Sequence, residues 1–215
     1  MRILSAPFIA AIAATFAPVA VAQTSIETPR FEIVLESDGA QIRDYAPMIV
    51  AEVTVEARNM GQASSRGFRP LANYIFGGNT ARDKIAMTSP VTAQSKSHKI
   101  DMTAPVTSQA TGTGEYTVRF IMPSEWTMET LPVPNDARVK LVEVPRHQMA
   151  AARWIGGDSQ DIRANAQAYL SEWATAQGYT ITGEATWAGY DGPMTPRSQR
   201  RFEIMLPVTK AEDAA

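Results

Sequence analysis

Two stretches of this chain carry the same pattern, and that duplication constrains the fold more than any other feature. Ile42 to Glu56, IRDYAPMIVAEVTVE, leads into a helix-like segment ending at Gly77. Leu141 to Gly157, LVEVPRHQMAAARWIGG, leads into another that ends at Gly178. Each copy reads strand, proline bend, strand, helix, strand. In the first, Ile49, Ala51, Val53 and Val55 alternate with period two, as a half-buried strand requires. Phe31, Ile33 and Leu35 form a strand before it, and Asp38-Gly39 supplies the hairpin turn. Ser64 and Ser65 then cap a helix whose face is Phe68, Leu71, Ala72 and Ile75. Pro70 requires a first-turn position or a kink. In the second copy Asp158 serves as N-cap, and Ile162, Ala166, Tyr169, Leu170, Trp173 and Ala174 form the apolar stripe. The remaining strands are Tyr116–Met122, Arg138–Val144, His147–Ile155, Ile181–Tyr190 and Phe202–Val208, with Ser124 to Asp136 as a long surface loop.

A β-β-α-β unit of this size cannot bury its own sheet face, so the two copies must share a core. The expected fold is α+β: a distorted antiparallel β-barrel or curved sheet carrying two helices, internally duplicated. Residues 30–209 are expected to form one domain, with pseudo-repeats at about 30–110 and 111–209. A flexible stretch 23–29 precedes it and a disordered tail 210–215 follows.

The first residues have a different character. Arg2 is followed by an uncharged run, Ile3 to Val21, and Ala20-Val21-Ala22 presents small residues where a signal peptidase reads. Residues 1–22 therefore read as a secretory signal peptide cut after Ala22. The expected location is the periplasm, or the medium outside the cell. The chain contains no cysteine, which excludes a thiol nucleophile, a thiolate zinc site and covalent heme attachment through Cys-x-x-Cys-His. A net charge of −2 without a basic cluster argues against general nucleic-acid binding. No later segment has the length of apolar sequence that spans a bilayer.

Between the copies an octapeptide is written twice: Ile85 to Thr92, IAMTSPVT, and Ile100 to Thr107, IDMTAPVT. Ile, Thr and Val suit a pleated surface, and the proline marks an edge or a bulge. The two copies read as twin strands joined through Ala93 to Lys99. Here the sequence resembles the SOUL heme-binding protein family. The resemblance rests on Phe76-Gly77-Gly78-Asn79 followed by Ile85 to Val91, then Phe120-Ile121-Met122-Pro123 and Asn135-Asp136-x-Arg138-Val139. It continues in Tyr190-Asp191-Gly192-Pro193 and Arg200-Arg201-x-Glu203. It spans about Arg30 to Val208.

That resemblance implies noncovalent binding of heme or another tetrapyrrole against the outer side of the first helix and the loop before the last strand, with no general need for an axial histidine. Carried onto this chain, it singles out Arg66, Arg69, Asn73 and Tyr74 on the helix, and Met194 and Arg197 on the loop. Arg66 and Arg69 have the geometry to clamp propionates bidentately. Arg69 and Asn73 stand where relatives offer apolar side chains, and Thr195 and Phe202 stand where relatives carry lysine and asparagine.

The only histidines, His98 and His147, are axial-ligand candidates by chemistry alone. No catalytic motif for acyl transfer, metal hydrolysis or phosphate handling is present, and Glu203 and Asp191 flank the last loop as a candidate carboxylate pair. The expected function is a periplasmic heme or tetrapyrrole carrier or scavenger. Its alternatives are a module for another amphiphilic anion on the same fold, a hydrolase on this scaffold, and a protein-interaction role through the proline-rich loop.

Overall fold

The computed structural model describes residues 26–82, 97–192 and 194–211. The first octapeptide, the leader reading and Pro193 lie outside them. In chain order the strands are β1 (Phe31–Ser37), β2 (Ala40–Tyr45), β3 (Met48–Glu56), β4 (Asn79–Thr80), β5 (Val106–Gly112), β6 (Glu115–Ile121), β7 (Val133–Pro134), β8 (Lys140–Val144), β9 (His147–Ile155), β10 (Tyr179–Ile181), β11 (Thr186–Gly189) and β12 (Arg201–Lys210). Helix α1 (Met60–Ile75) follows β3 and α2 (Gln160–Ala176) follows β9.

The strands make an antiparallel sheet ordered β1-β2-β9-β12-β11-β5-β6-β3-β8, with β10 also on β12. Beyond β1 that order is a palindrome of the two halves, centred between β11 and β5. The register shows the twofold directly. Tyr45 pairs with His147 and Met48 with Val144; an offset of 99 residues carries Tyr45 onto Val144 and Met48 onto His147. The bends at Ala46-Pro47 and Pro145-Arg146 thus exchange strands between the halves and draw the two ends of the sheet together. The result is a curled half-barrel.

Alternation then assigns the two faces. Ala51, Val53, Val118 and Phe120 point to α1, where they bury Leu71, Tyr74 and Ile75. Ala40, Ile42, Ala150, Ile204 and Leu206 point to α2 and bury Leu170, Trp173 and Ala174. Tyr45, Met149, Ala151, Ala188 and Met205 cluster on the opposite, inner face. Both helices therefore lie on one face, each over its own half.

Helix α1 begins earlier than the serines suggest. Asn59 caps it by accepting from Gln62 N at 2.9 Å, and Gln62 Oε1 accepts from Arg58 N at 2.9 Å, a reciprocal arrangement of the capping-box kind. Ser64 and Ser65 lie inside the helix. Pro70 is buried deep within it. Gly67 lets the helix sit down on β6, because an added Cβ would fall 2.5 Å from Val118.

The second octapeptide departs from the strand reading. Ile100 to Pro105 runs outside the sheet, and only Val106 and Thr107 enter β5. That strand is central, so Pro105 precedes a ladder and does not blunt an edge. Ile100 is buried against α1 and its N–H donates to Ile75 O at 2.9 Å. The loop expected over 124–136 contains β7 and the fully buried Leu131. Near the ends of the described residues, Ala104 N donates to Glu27 O at 2.9 Å, and Ala211 N donates to Gly178 O at 2.9 Å.

Candidate functional site

The two helices leave the middle of the sheet uncovered, and a groove of about 670 Å³ runs there over β5 and β11. Met60, Gly61, Ser64, Ser65 and Phe68 form its α1 wall. These five positions follow from helical spacing, one stripe turned toward the pseudo-twofold axis. Val106 and Ser108 of β5 and Trp187 and Gly189 of β11 make the floor, and Ser64 Oγ bonds Ser108 Oγ at 3.0 Å. Trp154 stacks on Phe202, with centroids 5.7 Å apart and planes at 25°, and meets Trp187 edge-on at 6.3 Å. Met102, Thr103 and Ala104 of the second octapeptide form part of the rim. The groove is thus largely aromatic, and its volume falls within the range of roughly 300–1,000 Å³ typical of ligand sites.

Charge at the groove is organised in pairs. Arg163 lies over Trp187 at 5.6 Å and bonds Asp158 through both of its carboxylate oxygens. Arg201 makes a forked contact with Asp191 at 2.8–3.2 Å, which holds that carboxyl below its ordinary pKa. At the base Glu203, fully buried, accepts at Oε1 from Arg43 (2.7 Å) and Arg153 (2.8 Å), and at Oε2 from the Tyr190 hydroxyl (2.6 Å). Burial alone would lower the Arg43 pKa; its bond to Glu203 and the charge there outweigh that and raise it. Burial, with the Glu203 charge behind it, pushes the Tyr190 phenol well above its ordinary value. Tyr190 is therefore a neutral donor at neutral pH, and the Glu203 carboxylate is already satisfied at both oxygens.

The structure separates the residues chosen from sequence. Arg66 and Arg69 are exposed on α1 but outside the groove, and Arg66 Nη1 donates to Glu56 O. Asn73 is exposed farther along the helix. Tyr74 corrects the expectation that it faces outward: it is 1% exposed, beneath the helix, and its hydroxyl donates to Pro132 O at 3.0 Å. The reason is register, because Tyr74 follows Leu71 by three residues and so shares its face. Met194 is 93% exposed and Arg197 stands in a short 3-10 turn; neither lines the groove, whereas Tyr190, Asp191 and Gly192 of the same loop do. Neither histidine lines it either. His98 is exposed and meets Trp126 edge-on at 6.2 Å, and His147 is on the inner face, stacked on Tyr45 at 5.5 Å. Glu203 and Asp191 do not pair; each belongs to a separate arginine network. Among the described residues, no group of three or more His, Asp or Glu side chains could hold a metal ion, and no helix is long and apolar enough to cross a membrane.

Sequence reasoning missed Phe68, Trp154, Trp187 and Arg43. A signal for the groove wall was present: Gly61, Ala63, Ser64, Ser65 and Gly67 put small residues on an otherwise ordinary helix, as a surface approached by a ligand or a sheet requires.

A curled α+β half-barrel with an aromatic groove between its two helices is the class these features define. The chain belongs to the SOUL heme-binding protein family, whose match covers residues 26–207. Similar solved structures include the EcmrR C-terminal domain, at 14% identity and TM-score 0.56, over 80% of this chain and 97% of that one. A protein described as a hydrolase from Listeria innocua matches at 15% identity and TM-score 0.54, over 82% of this chain and 94% of that one. At such identities the likeness is one of fold. No curated protein matches the chain.

Proposed function

We propose that this protein binds heme or a closely similar tetrapyrrole noncovalently, with the ring in the groove between α1 and α2. One observation carries the reading: Phe68, Trp154, Trp187, Tyr190 and Phe202 line a single open groove of about 670 Å³, enough apolar surface to bury one face of a large planar ring. Burial at about 25 cal/mol per Å² supplies the affinity. The stacked Trp154 and Phe202, with Trp187 edge-on to Trp154, orient the ring. Family membership supports the ligand class. We further propose that the protein acts after export, as carrier or scavenger, with residues 1–22 removed; the intact mass of the protein recovered from the periplasm tests this.

The test of binding is an absorbance titration with hemin, against albumin and an unrelated exported protein. A saturable one-to-one Soret shift that weakens in Trp187→Ala and Phe68→Ala, and is unchanged in Arg66→Ala, supports the groove. A shift no larger than in the controls overturns it.

A second reading, another amphiphilic planar molecule, is favoured by one feature. Arg153, Arg163 and Arg201 each already hold a carboxylate, so a dianionic ligand must compete for them.

A further inference from the structure

The face of the sheet away from the helices encloses a separate cavity of about 240 Å³, lined by residues from β2, β3, β5, β6, β8, β9, β11 and β12. A space walled by eight strands of one sheet lies inside the curl, so the sheet itself divides it from the groove. Among its lining residues are Met48, Met149, Met205 and His147.

These side chains converge for topological reasons. Met48 and His147 are pseudo-twofold equivalents, each placed just past a proline bend. Met149 follows His147 by two residues on β9 and so shares its face. Met205 sits on the neighbouring strand: it pairs with Ala151, and Pro207 pairs with Met149. Tyr45 touches both kinds of donor. Its ring stacks on His147 at 5.5 Å and 13°, while its hydroxyl donates to Met205 Sδ at 3.6 Å.

The imidazole is oriented as metal-binding histidines usually are. Its Nδ1 is 2.8 Å from Pro145 O. A carbonyl only accepts, so Nδ1 carries the proton and Nε2 presents its lone pair. Tyr45 occupies one lone pair of Met205 sulfur and leaves the other. Met149 and Met205 are buried, and Met48 and His147 are half-buried. Among the described residues no carboxylate lines this cavity, and the one charged residue that does, Arg119, is held by Glu52 at 2.8 Å and by Gln109 at 3.1 Å. The donor set is one neutral imidazole and three thioethers, and such soft, uncharged ligands suit copper(I) far better than zinc, magnesium or calcium. In a chain without cysteine no thiolate competes for the ion.

We propose that His147, Met48, Met149 and Met205 form a copper(I) site on the inner face of the half-barrel, independent of the interhelical groove. The purified full chain is titrated anaerobically, with ascorbate, against the copper(I)–bicinchoninate complex. The expected result is removal of one equivalent of copper(I), with silver(I) competing and zinc(II) not. Met149→Leu and Met205→Leu, which keep core volume, and His147→Gln each weaken binding by about tenfold or more, at least the effect of losing an outer partner in other metal sites. Met194→Leu, on the exposed loop, leaves it unchanged. Circular dichroism and thermal unfolding confirm that each variant is folded. Failure to remove copper(I) from the chelator overturns the site. So does equal retention in the three cavity variants, or displacement by zinc(II).

Discussion

Arg43 Nη2 lies 2.7 Å from Glu203 Oε1 with both side chains buried, although they stand on strands β2 and β12 at opposite ends of the domain sequence. Arg153 approaches the same oxygen from β9. Removing Glu203 leaves Arg43 charged and unpaired beneath Phe31, whose ring lies 4.5 Å from the guanidinium. Glu203→Ala is expected to lower stability by about 3–5 kcal/mol, as breaking buried pairs does elsewhere. The double variant Arg43→Met, Glu203→Leu should lie closer to the original protein than either single change, because no charge is left without a partner. Urea unfolding of all four proteins measures both effects.

The acid limb of stability should be shaped by surface carboxylates held by arginines. Asp136 accepts a fork from Arg138 at 3.0 and 2.6 Å, which lowers its pKa from 3.8 to about 2. A carboxyl depressed on folding stabilises the native state above its unfolded pKa, and that contribution disappears as pH falls through the folded value. Stability should therefore be flat near neutrality and decline from about pH 4 to about pH 2, with Asp44 and Asp191 contributing in the same direction. Because Asp136 is partly solvated, Asp136→Asn should remove under about 1 kcal/mol at pH 7 and flatten part of that slope. Urea midpoints across pH check the sign.

Two glycines of α1 should respond oppositely to the same substitution. An alanine at Gly61 would meet only Asn59 Oδ1 at 3.6 Å, an ordinary contact, so Gly61→Ala should stabilise by up to about 1 kcal/mol through helix propensity. At Gly67 the new methyl would fall 2.5 Å from Val118. Gly67→Ala should destabilise by about 1–3 kcal/mol from overpacking. Thermal unfolding of the pair separates propensity from packing within one helix.

Hemin and its dimethyl ester should bind the groove with affinities within about tenfold of each other, a difference of no more than ~1.4 kcal/mol. The rim guanidiniums already carry Asp158, Asp191 and Glu203, so ring burial and not carboxylate pairing dominates. Parallel Soret titrations measure the ratio. A loss much greater than tenfold on esterification would assign the propionates a direct arginine partner.

Much of the fold was legible along the chain because alternation and helical spacing are local signals. Ile49 to Val55 announced β3, His147 to Ile155 matched β9, and the stripe from Ile162 to Ala174 marked α2. The duplicated segments implied a shared core, since one β-β-α-β unit leaves a sheet face bare. The candidate site was much less legible. Arg66 and Arg69 are exposed helix residues by spacing, but spacing does not say which flank of the helix a second helix will confront. That flank, with Gly61, Ser64 and Phe68, was settled by the palindromic strand order that sets α1 and α2 on either side of β5 and β11. Burial of Arg43 likewise depended on a partner 160 residues away. Element types, the duplication and the family could be read from residue order, because each rests on spacing and on contacts between near neighbours. The position of the groove, the burial of Arg43 and Glu203 and the gathering of Met48, Met149, Met205 and His147 around one cavity emerge in three dimensions alone, because strands from opposite halves must first be brought side by side.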